Sequence, residues 1–153
     1  HGTVCGAWWT GPICGDGTPN GYGVYEVDGD KISWYYKSTG LPKTYQLRIY
    51  PVGKHKDFPE EACINVWNYD RNWKLEWFAD GKLMGNPQQR TAYDPWAYEM
   101  FLGAEKPKPR GWVEPNLTDH VFFVKPESSV KKLKVIATDP FGNVFTESLD
   151  LNS

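Results

Sequence analysis

The residues most able to do chemistry here are three histidines, three cysteines and a scatter of aspartates, and their spacing does not assemble a reactive centre. His1, His55 and His120 are too far apart along the chain for a local metal cluster. His55 reads as a loop histidine. His120, beside Asp119, reads as a satisfied residue at a strand entry rather than an acid or base. Asp16, Asp28 and Asp30 are the best candidates for calcium, because a hard cation takes clustered carboxylates and carbonyls. Asp28-Gly29-Asp30 is equally a hairpin turn and the EF-hand spacing is absent, so the turn is the preferred reading. Ser33, Ser38, Ser128 and Ser129 lie in no nucleophile-elbow context. No catalytic, cofactor-binding or metal-ligating residue is assigned within the chain. Cys5 and Cys14 could bridge a short loop in an oxidising compartment, but thiols are favoured, and Cys63 sits in an apolar strand as a small core residue.

The aromatic residues allow a different chemistry. Trp67, Tyr69, Trp73, Trp96 and Trp112 could present flat faces to a sugar ring, whose apolar face packs on an aromatic one. Alternation turns several of them inward, so a tryptophan-rich core is the preferred reading. Trp8 and Trp9 are the first candidates for a surface against another domain.

The elements that must position these residues are short strands. Residues 62–81 organise the chain: Ile64, Val66, Trp73, Leu75 and Trp77 alternate with polar neighbours, and Asn68–Asn72 and Asp80-Gly81 supply turns. Tyr22–Val27 and Ile32–Lys37 flank Asp28-Gly29-Asp30 as a hairpin, which cannot stand alone in water and must add to something. Further strands are expected at Tyr45–Tyr50, from Lys82, and over 120–125, 132–138 and 144–151. The one helix is expected at 94–103, with Asp94 as cap, Pro95 in the first turn and Gly103 as stop. Its Trp96, Met100 and Phe101 would lie over an open end of the sandwich. Residues 106–111, alternating Lys, Pro and Arg, read as a stiff connector. About seven strands result after the hairpin, the number in an immunoglobulin-like sandwich. Cys63 and Trp77 are spaced like that fold's core cysteine and tryptophan, without the second cysteine.

Net charge of −2 gives no field for phosphate backbones. Lys106, Lys108, Arg110 and Lys131, Lys132, Lys134 are read as solvated loops, so nucleic acid is not an expected partner. No apolar run reaches the length of a membrane span. A first residue of His1 rather than Met suggests a processed product or a fragment.

Residues 1–40, with GYGVYEVDGDKISWYYK, resemble the tail of a calcineurin-like metallophosphoesterase domain. WNYDRNWKLEWFADGKLMG, YDPWAYEMFLG, WVEPNLTDHVF and ATDPFGNVFTESL resemble the C-terminal domain attached to such enzymes in Bacteroides-type bacteria. The resemblance implies a parent that hydrolyses phosphoesters with two divalent metal ions. The ligand motifs of that superfamily are absent: Gly15-Asp16 is followed by Gly17-Thr18-Pro19, Gly142-Asn143 by Val144, and Asp119-His120 are adjacent. The metals are therefore expected in an upstream catalytic domain, which is also the expected partner.

The reading is thus an all-β, Ig-like antiparallel sandwich with an N-terminal hairpin and one short helix. Residues 1–40 would be the closing loop and hairpin of the phosphoesterase domain, and 41–153 a noncatalytic accessory domain that supports it or helps place substrate. A carbohydrate-binding or cell-surface adhesion module is the alternative, with glycan as partner. The family implies a periplasmic or cell-surface location.

Overall fold

The computed structural model describes residues 11–104 and 112–151. His1, Cys5, Trp8, Trp9 and the connector at 106–111 lie outside these residues.

The hairpin forms as its alternation dictates. Strands β1 (Gly21–Asp28) and β2 (Lys31–Ser38) pair antiparallel from Gly21↔Ser38 to Asp28↔Lys31 as a separate two-stranded sheet. Gly29, at φ +60°, takes the first turn position, where a side chain would be strained.

The sandwich is built from β3 (Leu47–Tyr50), β4 (Ala62–Val66), β5 (Lys74–Ala79), β6 (Lys82–Gly85), β7 (Gln88–Tyr93), β8 (Leu117–Val124), β9 (Lys132–Thr138) and β10 (Val144–Asp150). One sheet runs β3-β4-β8-β7 and the other β10-β9-β5-β6. Lettered A, B, C, C′, D, E, F and G in chain order, these are the A-B-E-D and G-F-C-C′ sheets of the immunoglobulin architecture. The expected all-β Ig-like sandwich is therefore present.

One face of each strand makes the core. Leu47, Ile49, Ala62, Ile64, Val66, Phe122 and Val124 meet Trp73, Leu75, Trp77, Leu133, Val135, Ala137 and Phe145 between the sheets. Burying each of the larger side chains contributes about 1.5–3 kcal/mol before entropy is subtracted.

Four expectations are corrected. Among the described residues eight strands follow the hairpin rather than seven, because β7 reads as polar: of Gln88–Tyr93 only Ala92 is buried. Cys63 and Trp77 do not face one another, since residues one apart alternate faces. Ile64 points into the core with Trp77, whereas Cys63 points outward to Ala92, Val121 and Phe123. Cys14 is disulfide-bonded where thiols were favoured, and Cys63 is free and buried. Residue spacing does not separate a bridge from two thiols. What it did not reveal is how tightly the Cys14 loop closes, with Cys14 N–H on the Thr18 carbonyl (2.8 Å) and Gly17 N–H on the Cys14 carbonyl (3.0 Å).

The fourth concerns helix α1 (Pro95–Leu102). It has the foreseen cap, with Asp94 Oδ1 accepting from Ala97 N–H at 2.9 Å, but packs Ala97 and Phe101 on Ile13 and Val113 rather than over an end of the sandwich. Trp96 stays on the outside.

Candidate functional site

The outer face of the β3-β4-β8-β7 sheet carries the polar half of the strand period, and it is covered rather than wet. Arg48 and Tyr50 alternate with Leu47 and Ile49 on β3, and Asn65 alternates with Ile64 and Val66 on β4. On β8 an extra residue intervenes: Arg90↔Val121 is followed by Ala92↔Thr118, two steps on β7 against three on β8. Such a bulge re-aims a side chain. Here it brings His120, which strict alternation would turn into the core with Phe122, to the outer face beside Asn65. The loop at 11–20 and the first turn of α1 lie over this face.

The groups form one continuous chain of hydrogen bonds. Asp16 Oδ2 lies 3.3 Å from His120 Nε2, and His120 Nδ1–H donates to Asn65 Oδ1 at 2.7 Å. The Asn65 amide donates to Asp94 Oδ2 (2.7 Å) and to the Asp16 carbonyl (2.9 Å). Asp94 also accepts from the Tyr50 hydroxyl (2.8 Å), which accepts from Arg48 Nη1 (2.9 Å). Arg48 donates further to Tyr45 Oη (3.1 Å) and the Gly17 carbonyl (3.3 Å), with its guanidinium 4.4 Å from the centroid of the Trp96 ring. Asn65 and Asp94 are fully buried. The buried Asn65 amide and Asp94 carboxylate are both fully engaged, which is what makes their burial tolerable.

The electrostatics fix Asp16 and Tyr50 in single states. Burial alone would raise the Asp16 carboxyl, but the hydrogen bonds from His120 and Thr18 outweigh it and hold it below the usual aspartate value. Burial and the Asp94 charge push the Tyr50 phenol far upward, so it stays a donor. Burial, with Asp16 nearby, does the same to Tyr36. Among the described residues no serine or cysteine side chain bonds to His120. The chain of bonds locks the 11–20 loop and α1 onto the sheet and offers no activated nucleophile.

The hairpin is held to the same body. Tyr36 Oη donates to the Pro19 carbonyl (2.6 Å), the buried Gln46 amide donates to the Tyr36 carbonyl (2.6 Å), and Trp34 meets Phe141 edge-on at 4.6 Å.

Beside this network, a cleft of about 560 Å³ opens between residues 50–57 and α1, lined by Lys54, Lys56, Tyr93, Trp96, Tyr98 and Glu99 among others. His55, only 2% exposed, forms part of its wall. Its Nε2–H donates to the Tyr93 carbonyl (3.0 Å), while Nδ1 accepts from Asp57 N–H (3.1 Å) and Phe58 N–H (3.3 Å). Burial lowers its pKa and keeps it neutral.

The aromatic residues singled out by sequence separate into two groups. Trp67 and Trp73 are buried, and Tyr69 packs half-buried against the core. Trp67 donates its indole N–H to the Tyr45 carbonyl at 2.9 Å. Trp96 borders the cleft and Trp112 is exposed. Asp28 and Asp30 flank the hairpin turn, and Asp16 is engaged by His120 and Thr18 N–H, so the three aspartates make no cation site. Arg48, Tyr50, Asn65 and Tyr98 carried no sequence signal, being ordinary polar positions in strand or helix patterns.

Fold and site together define an Ig-like β-sandwich that carries on one outer sheet face a set of polar side chains bonded to one another. The chain belongs to the family of C-terminal domains of calcineurin-like phosphoesterases, whose family model matches residues 1–145. No curated protein and no solved structure matches it. The two-metal chemistry of the superfamily does not fit the residues here: among those described, no three His, Cys, Asp or Glu side chains are grouped to hold a metal ion.

Proposed function

We propose that this chain is a noncatalytic accessory domain that supports the catalytic domain of its phosphoesterase or the placement of its substrate. The observation that carries this reading is the β1–β2 hairpin. It is a two-stranded sheet with no further strand at either edge among the described residues. Its outer part exposes Val27 (69%) and Ile32 (57%) beside a groove of about 580 Å³ that reaches Phe141, and Tyr22 is exposed nearer its base. Exposed apolar groups on an unextended sheet mark a contact surface, and membership of a family of phosphoesterase C-terminal domains favours the catalytic domain of the same protein as its occupant.

On this reading residues 1–40 are the closing segment next to that domain and 41–153 the accessory sandwich. Two divalent metals and the hydrolysis of phosphoesters belong to the catalytic domain. The disulfide at Cys14 favours an oxidising compartment, in keeping with a periplasmic or surface location.

Hydrogen exchange tests the reading. Amides of residues 21–38 should exchange more slowly in the full-length phosphoesterase than in this chain, and the paired substitution Val27→Ser, Ile32→Ser should remove the difference. Equal exchange in the two proteins refutes the docking surface. Manganese-stimulated hydrolysis of p-nitrophenyl phosphate by this chain alone refutes the noncatalytic role.

A further inference from the structure

We infer that the cleft between residues 50–57 and α1 is a binding site for a neutral pyranose unit of a carbohydrate. The volume of about 560 Å³ lies in the range of small-ligand sites, and its walls are fixed before any ligand arrives. Asp94 caps α1 at the cleft edge, His55 is held by three hydrogen bonds, and Arg48 lies 4.4 Å from the centroid of the Trp96 ring. Trp96 nevertheless keeps 36% of its surface exposed. A preorganised wall lowers the ordering cost that limits small-ligand affinity.

The lining matches a sugar better than an ion. Trp96, Tyr93 and Tyr98 line the cleft. Arg48 covers one face of Trp96 and Lys56 Nζ lies 4.6 Å from the Tyr98 centroid, so the other face of Trp96 is the platform for the C–H face of a pyranose. The Lys54 ammonium and the Glu99 carboxylate have no hydrogen bond or ion pair to any described residue, so donor and acceptor capacity remain open at the rim. Tyr98 Oη accepts from Lys56 Nζ at 3.2 Å, which leaves its own hydrogen to donate. Lys54 and Lys56 oppose Asp57 and Glu99, so the cleft has no net charge to select an anion or a quaternary ammonium. A polyol needs this mixture of free donors, free acceptors and a flat apolar platform. Of the tryptophans named as sugar-stacking candidates from sequence, Trp96 alone lines the cleft. The site does not depend on the accessory role, because its residues and those of the hairpin tip are different.

Saturation-transfer NMR on this chain, with the methyl glycosides of glucose, galactose, mannose and N-acetylglucosamine as probes and choline as comparison, tests it. At least one glycoside should bind saturably. Tyr98→Ala and Trp96→Ala should each weaken that binding by about tenfold or more. Glu99→Gln, an exposed change that leaves the fold intact, should weaken it several-fold, and Val27→Ser with Ile32→Ser should leave it unchanged. No response to any glycoside overturns the inference. So does binding that survives both Glu99→Gln and Tyr98→Ala, or a saturable choline response without a glycoside response.

Discussion

Replacing Asp94 by Ala tests whether the buried network holds α1 and the 11–20 loop to the sandwich. The carboxylate accepts from three donors: Ala97 N–H, the Tyr50 hydroxyl and the Asn65 amide. Loss of the helix cap costs about 1 kcal/mol. Two stranded buried donors add about 1–3 kcal/mol each, so a loss of roughly 3–7 kcal/mol, about 5 at mid-range, is expected. Against a typical total of about 5–15 kcal/mol this is a large fraction. At about 2–4 °C per kcal/mol for a chain of this size, it corresponds to a fall in Tm of roughly 10–15 °C. Asp94→Asn discriminates further. It preserves volume and keeps one oxygen for the Ala97 cap, but sets an amide donor against the Asn65 amide and the Tyr50 hydroxyl, so it should recover the cap and little more. Urea unfolding followed by tryptophan fluorescence measures both, with exposed Asp119→Ala expected within about 0.5 kcal/mol of the parent chain. A loss below about 1 kcal/mol for Asp94→Ala, or full recovery by Asp94→Asn, refutes the network as the fastening.

Two further outcomes follow from the same geometry. Gly17→Ala should destabilise by about 3 kcal/mol or more. Its φ of +81° alone costs a side chain about 1–2 kcal/mol, and the new Cβ would fall 2.0 Å from Asp94 Cγ; urea unfolding reads the change, and an unchanged midpoint refutes it. Stability should also fall with acid through His55. Burial lowers its pKa in the fold below the ordinary value of 6.5, so the unfolded chain binds the proton first. The contribution is intact above about pH 6.5 and declines below it toward the folded value. Asp57, Asp94 and Arg90 are the charges around the ring. The difference in unfolding free energy between His55→Gln and the parent chain should shrink as pH drops from 7.5 to 5.5 (~2 pH units, spanning the ordinary His value); a constant difference refutes the assignment.

What the sequence made legible was local. Asp-Gly between alternating runs specified the β1–β2 and β5–β6 turns, and Asp80 and Gly81 do adopt φ of 49° and 87°. Asp94-Pro95 marked the helix start within a residue, because a cap acts over one turn. The network was invisible because its bonds join distant positions: His120 and Asp16 are 104 residues apart, Tyr50 and Asp94 are 44. A bulge on β8 is likewise not written in local pattern. Reading His120 as a satisfied residue was sound, and its partners are Asp16 and Asn65. The strand-turn-strand unit at 62–81 was recognised, yet β4 and β5 pair with other strands in opposite sheets, and periodicity does not say which sheet a strand joins.

The separation between the hairpin and the sandwich sets an order of folding. β1 and β2 pair across a two-residue turn, a closure that takes microseconds. The β4–β8 pairing joins Ala62 to Val124, and contacts so distant in sequence slow the search for the native state. A two-stranded hairpin is marginal on its own, so it closes early but persists only once Gln46 and Phe141 anchor it, with Val27 and Ile32 uncovered meanwhile. During that interval its two open edges can recruit strands of other chains, so refolding yield should depend on protein concentration more steeply than the stability of the finished sandwich would suggest.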